Sequence, residues 1–337
     1  MQASILNDGI VNRVRQDNCF DFLRYFFAIS LILAHFCTAT NSPQFWFITG
    51  SMRVKAFFTI TGFLVTYSFL RRDMNIRSYA IKRFVRIIPA YVVCVLFCFA
   101  VGLSISTLSS SEFLASHQTW HYFFANLFML NWLEPELPQT FQSNPLPQMN
   151  ASLWSMKQEV VFYVLVPILV HLMKTKRMRN YVCSAIVVIC VISYNFVNHQ
   201  TEYFMYFLFG MILLLYFDIF CKYRTYLSIT ALLVLIPVYA YHIPYVSAVC
   251  NALEPLCFPM VLLYVAYNAK HLNFFRKFDN ITYGLYLYHF PVAQVLILYG
   301  WAEHNITLCF VGTFIITIFL AYCSFKLIEE PLMNRYR

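Results

Sequence analysis

The sequence predicts an all-α, polytopic transmembrane helical bundle of about ten spans with both termini cytoplasmic. Three observations lead there. Apolar residues make up 60% of the chain and charged ones only 12%, against about a quarter charged in soluble domains, so a water-exposed fold would lack polar groups to cover itself. The apolar residues arrive in blocks of about twenty, the length at which an α-helix crosses the hydrocarbon core. Between the blocks lie short clusters of Lys and Arg, which insertion retains on the cytoplasmic side.

In chain order the blocks place spans at residues 21–39, 54–70, 84–104, 152–173, 181–198, 202–220, 225–241, 250–268, 281–300 and 306–326. The first is long enough to span and lacks the small-residue pattern of a cleaved signal peptide, so it is expected to be retained. The aromatic stretch from Trp120 to Trp132 is too short to cross and is expected to lie at the interface or to re-enter. There is no internal repeat, which weighs against a transporter built from paired halves. The chain thus reads as one integral membrane domain over 1–337, with a cytoplasmic segment at 1–20 and an external loop at 105–151.

Charge sets the sidedness. With the N-terminus inside, every one of the 24 basic residues except Arg53, Lys55 and Lys157 falls in a cytoplasmic segment. This placement also accounts for the net charge of +9, so nucleic acid is not an expected partner. The loop at 105–151 holds Glu112, Glu134 and Glu136 but no Lys or Arg, and is placed outside. Its prolines, Pro135, Pro138, Pro145 and Pro147, disfavour regular helix and suit either a shaped lid over an outer cavity or a passive linker. The eleven cysteines lie mostly within apolar blocks and form no C-x-x-C pair, so they read as small apolar filler rather than as disulfides or zinc ligands.

Ionisable groups at membrane depth point to function or to a partner. Arg24 and His35 share the first span, eleven residues apart, which returns them to within about 20° of one helix face at a separation of roughly 16 Å. Glu159 enters the fourth span at a depth comparable with that of His35, and a carboxylate there can fix an imidazole's tautomer and support it as a general base. This is acid–base chemistry without a metal. Arg83 and Arg86 are neighbours on one turn; two guanidiniums suit phosphates, although positive-inside retention explains them equally. His289 near the middle of the ninth span is either a packing residue or a site residue, and Thr61-Gly62-Phe63 suits close helix packing. The chain contains no G-x-x-x-x-G-K-[ST], H-E-x-x-H or G-x-S-x-G motif, which removes the usual support for ATP-driven, zinc-protease and serine-hydrolase readings.

At these residues the chain resembles the acyltransferase-3 family of membrane O-acyltransferases, which act on bacterial surface glycans. Asp21-Phe22-Leu23-Arg24 followed by His35 is similar to the family's basic-x10-His motif. Phe58-Thr59-Ile60-Thr61-Gly62-Phe63-Leu64 is similar to F-x-x-S-G-F-L, with Thr61 in place of Ser. Arg83-Phe84-Val85-Arg86-Ile87-Ile88-Pro89 is similar to R-x-x-R-I-x-P. Later segments continue the match: Trp154-Ser155-Met156-Lys157-Gln158-Glu159-Val160-Val161-Phe162-Tyr163, Tyr283-Gly284-Leu285-Tyr286-Leu287-Tyr288-His289 and Glu329-Glu330-Pro331.

The resemblance implies acetyl-CoA as the acyl donor, with no permanently bound cofactor, and a hydroxyl of a lipid-linked or cell-surface glycan such as lipopolysaccharide as acceptor. It implies His35 as general base with Glu159 supporting it, and Arg24, Arg83 and Arg86 at the donor's phosphates. Thr61, Trp154, Ser155, Tyr163, Tyr286 and His289 are candidates for lining the site. The expected location is the bilayer of a bacterial cytoplasmic (inner) membrane. Two alternatives stand beside this reading: succinyl in place of acetyl transfer, and a non-catalytic glycan or lipid transporter.

The topology is testable by cysteine labelling in a cysteine-depleted variant. Lys176→Cys is expected to resist an impermeant external reagent while positions within 105–151 react with it. External labelling at position 176, or protection of the whole loop, overturns the sidedness.

Overall fold

The computed structural model describes residues 12–14, 18–43, 50–71, 75–196, 199–239 and 244–336. Arg15, Arg72 and Arg337, most of the segment 1–20, and the span ends at 197–198 and 240–241 lie outside the described residues. All regular structure among the described residues is helical. The helices are α1 (Phe20–Ala39), α2 (Gly50–Leu70), α3 (Ile76–Ile105), α4 (Ser110–Ala115), α5 (His117–Leu127), α6 (Met156–Leu172, preceded by the 3-10 turn Ala151–Ser155) and α7 (Lys176–Ser193). They continue with α8 (His199–Leu215), α9 (Phe217–Tyr239), α10 (Pro244–Asn268), α11 (Thr282–Leu298, preceded by the 3-10 turn Lys270–Lys277), α12 (Trp301–His304), α13 (Ile306–Ser324) and α14 (Glu330–Arg335).

Six of these segments are long and apolar enough to cross a membrane: α1, α3, Ala151–Leu172, α9, Val249–Asn268 and Ile306–Arg335; Lys270–Lys277 taken with α11 gives up to seven. Four of the ten predicted spans therefore fall on weaker helices, for local reasons. In α2 the first turns carry Arg53 and Lys55, and α7 opens on Lys176, Arg177 and Arg179. Both α8 and α11 have only 17 residues, at the short limit for a crossing. Helix α3 begins at Ile76 and runs for 30 residues, so its basic first turns lie beyond the apolar block.

Local chemistry explains the helix starts. Ser109 and Glu112 form a reciprocal capping box at α4, and the bonds from Ser109 hold the Glu112 carboxyl below its ordinary range. Thr175 caps α7 and Asn305 caps α13 through their side-chain oxygens.

The chain folds as two compact units that interleave in sequence: Met1–Arg24, Ser51–Tyr79 and Val161–Lys277 form the first, and Tyr25–Gly50, Ala80–Val160 and Phe278–Arg337 the second. In the first unit α2 and α8 cross at two glycines. A Cβ on Gly62 would lie 2.0 Å from the Phe207 carbonyl oxygen, and one on Gly210 would lie 2.3 Å from that of Thr59. The backbones are in contact, as expected from Thr61-Gly62-Phe63. Phe162 stacks on Phe207 beside this crossing, 4.0 Å between ring centres.

Above the crossing the same unit buries a charge cluster. The Lys55 ammonium donates to both oxygens of Glu254, at 2.8 and 2.9 Å, and lies 3.8 Å from Glu202. The Tyr239 and Tyr194 hydroxyls also donate to Glu254, and the Tyr206 ring lies under the ammonium. Lys55, Glu202 and Glu254 are each more than nine-tenths buried. The sequence reading placed Lys55 near the outer face without a partner and did not single out Glu254.

In the second unit, residues 105–151 form a folded cover rather than a free linker. Phe113, Tyr122 and Leu137 are fully buried in it. The Asn126 amide donates to the carbonyls of Tyr122 and Glu134, and the Tyr91 hydroxyl donates to the Asn126 carbonyl. Met129, Gln139 and Phe141 adopt left-handed backbone conformations, which hold its corners at a cost of roughly 1–2 kcal/mol each.

Removing one partner of a buried ion pair typically costs about 3–5 kcal/mol, whereas removing the charges together costs far less. Lys55→Met, which strands two carboxylates, is therefore expected to lower the thermal midpoint of the detergent-solubilised protein much more than the triple variant Lys55→Met/Glu202→Gln/Glu254→Gln. Equal or greater loss in the triple variant would refute an electrostatic role.

Candidate active site

The second unit brings together two of the histidines noted in the sequence. His35, in the last turns of α1, places its Nδ1 2.7 Å from Nε2 of His289 on α11, and the two rings lie nearly parallel at 5.0 Å. His289 is 1% exposed, and its Nδ1 lies 2.9 Å from the Leu285 carbonyl oxygen. A carbonyl only accepts, so His289 Nδ1 carries a proton and Nε2 of that neutral ring accepts. Nδ1 of His35 is then the donor between the rings, and the lone pair of neutral His35 resides on Nε2. The tautomers are assigned from this hydrogen-bond chain. The sequence reading gives the supporting role to Glu159, and the structure in addition brings the ring of His289 against His35.

Glu159 occupies the first turn of α6, where the helix N-terminus favours an anion. Tyr286 lies one turn before His289 on α11. Its hydroxyl is 2.8 Å from Ser155 Oγ and donates to the Ser152 carbonyl. Trp154 belongs to the same 3-10 turn as Ser155. The Trp154–Tyr163 and Tyr283–His289 segments are thus joined by direct contact at Ser155.

The cover formed by 105–151 is fastened to this helix by buried amides that the sequence reading missed. Gln294, fully buried, donates to the carbonyls of Leu146 and Gln148 at 2.6 and 2.7 Å and accepts from the Asn144 amide at 3.0 Å. Asn150, also fully buried, donates to the Leu287 carbonyl at 2.9 Å and accepts from the Ser152 hydroxyl at 2.6 Å. Gln294 was open to detection, being a lone amide within the apolar run that follows His289.

Arg83 and Arg86 lie on the first half of α3. The Arg86 guanidinium is 3.6 Å from the carboxylate of Glu329, which is fully buried, and also meets the Met333 sulfur. Two motifs from opposite ends of the chain, R-x-x-R and the closing E-x-P-type element, therefore form one ion pair. Nearby, Lys326 bridges Asp279 and Glu330 at 3.0 Å each.

Three candidates fall in the first unit. Arg24 pairs with Asp21 at 3.4 Å and lines a cavity of about 260 Å³. Thr61 is half-buried beside the glycine crossing, and the Tyr163 carbonyl accepts from the Tyr79 hydroxyl.

Comparison with known proteins agrees with the motif order. The model of the acyltransferase-3 family, described as an acyltransferase domain, matches residues 17–325. An O-acetyl transferase of Shigella phage Sf6 is 23% identical over 343 residues, covering 96% of this chain and 98% of that protein. Nodulation protein 10 of Rhizobium leguminosarum bv. viciae is 24% identical over 372 residues, covering 94% and 93%. No solved structure matches the chain. A family match over almost the whole length, on a helical chain with at least six membrane-competent segments, identifies the protein as a membrane acyltransferase of the acyltransferase-3 family.

Proposed function

We propose that this enzyme transfers an acetyl group from cytoplasmic acetyl-CoA to a hydroxyl of a lipid-linked or cell-surface glycan, in a bacterial inner membrane that the chain crosses about ten times with both termini inside. The observation that carries the chemistry is the Leu285–His289–His35 hydrogen-bond chain. It leaves Nε2 of His35 as a base and supplies a neutral ring to share the positive charge that develops there. As the acceptor oxygen bonds to the thioester carbonyl carbon, its proton passes to His35 Nε2. The carbon–sulfur bond then breaks, and the proton leaves on the coenzyme's sulfur, so the reaction needs no other proton source.

The remaining residues take roles that follow from their contacts. His289 fixes the tautomer of His35, Tyr286, Ser155 and Trp154 line the site beside it, and Glu159 keeps the supporting role that the resemblance implies. Arg24, Arg83 and Arg86 are assigned to the donor's phosphates, Arg86 from the position in which Glu329 holds it. The amides of Gln294 and Asn150 keep the 105–151 cover on α11, so the cover and the acceptor it admits are tied to the position of His289. The name of the phage relative supports acetyl as the group transferred.

Transfer of labelled acetyl from acetyl-CoA by purified protein tests the reaction, and comparing glycan mass in a deletion strain and its parent identifies the group added. His35→Ala is expected to reduce transfer by about a hundred- to ten-thousand-fold, the usual contribution of a general base, with expression intact. Retention of more than about a tenth of the wild-type rate would remove His35 from the catalytic role. Gln294→Ala, which strands the carbonyls of Leu146 and Gln148, is expected to raise the KM for acceptor while donor affinity stays unchanged. A variant with wild-type KM for acceptor would show that the cover takes no part in acceptor binding.

A further inference from the structure

The cavity in the first unit brings Arg24 together with two arginines that no motif selects, Arg71 and Arg276. Arg24 reaches it from α1, Arg71 from the residue after α2, and Arg276 from the 3-10 turn Lys270–Lys277; Asp21 is the one carboxylate lining it among the described residues. Asp21 already pairs with Arg24. The Arg71 guanidinium lies over the Tyr67 ring at 5.6 Å, which orients it without neutralising it. Arg71 and Arg276 are themselves exposed, so neither is needed to fill the core.

Among the described lining residues three guanidiniums face one carboxylate, and planar guanidinium forks match phosphate oxygens two at a time. Three such forks exceed what a single phosphate or carboxylate requires. At about 260 Å³ the cavity lies below the roughly 300–1,000 Å³ of pockets that enclose a whole drug-sized ligand, so it suits the phosphate-bearing end of a longer molecule. The resemblance grouped Arg24 with Arg83 and Arg86; the first unit also sets Arg71 and Arg276 beside it.

We propose that Arg24, Arg71 and Arg276 form a binding site for an anion carrying two or more phosphates. As the site for the donor's nucleotide end, this rests on the acyl-transfer reading above; as a phosphate site, it does not. Nucleotides and anionic lipid headgroups share that chemistry, and the site is assigned to the nucleotide.

The test is a titration of the full chain, in nanodiscs of neutral lipid, with adenosine 3′,5′-bisphosphate, independent of any turnover. Wild-type protein is expected to bind the nucleotide, more weakly as salt is raised. Arg71→Gln and Arg276→Gln should each weaken binding by about tenfold or more, the scale of one lost charge-assisted contact, with Arg71→Lys and Arg276→Lys recovering part of it. Unchanged affinity in both glutamine variants overturns the proposal, as does a wild-type protein that binds no nucleotide but retains anionic lipid through these arginines. Nucleotide binding that needs Arg71 and Arg276, without acetyl transfer, would leave this site standing and overturn the proposed reaction alone. Acetyl transfer with donor KM unaltered in both variants would do the reverse.

Discussion

Inside a bilayer no water is available to satisfy a polar group, so every buried donor, acceptor and charge must find its partner within the protein. That constraint organises this molecule. Lys55 is tolerable in the first unit because Glu254 takes it with both oxygens and Glu202 stands behind. Glu329 is tolerable in the second because Arg86 faces it. The backbone carbonyls of the extended segment at 146–148 are capped by Gln294, and that of Leu287 by Asn150. Each pairing ties segments far apart in sequence, so the polar minority fixes which apolar helices lie side by side.

The same requirement shapes the histidine pair. A buried histidine needs a donor or acceptor for each ring nitrogen, and His289 meets this by donating to the Leu285 carbonyl and accepting from His35. The ordering of one ring by a backbone carbonyl thus decides which nitrogen of the other is basic. A carboxylate in the place of His289 would have stabilised the imidazolium by charge. A neutral ring does so by hydrogen bonding while adding no further charge to the apolar interior. The amides of Gln294 and Asn150 fasten the cover to the helix that carries His289, so the two are held in place by one set of contacts.

The two units place their cations differently. In the second, Arg86 faces Glu329 and Lys326 bridges Asp279 and Glu330. In the first, Arg24, Arg71 and Arg276 share a cavity with Asp21. Clusters of basic residues that look alike when read as insertion signals thus differ in the carboxylates folded against them.

Composition and block length determined by themselves that the chain is helical and membrane-embedded, because the cost of exposing apolar surface or unpaired backbone acts on every residue and needs no knowledge of neighbours. The order of short motifs gave the family for a related reason: each motif is a local run of residues. Gly62 was legible as a close-packing residue because its small size acts where it stands. The contact of His35 with His289 was not legible, since the two lie at unrelated positions in the chain and only the packing of α1 against α11 brings them together. Nor was the Lys55–Glu254 pair, the Arg86–Glu329 pair or the company of Arg24. Electrostatic and hydrogen-bond energies depend on distances of a few ångströms between groups that are hundreds of residues apart, and those distances exist only once the helices have packed.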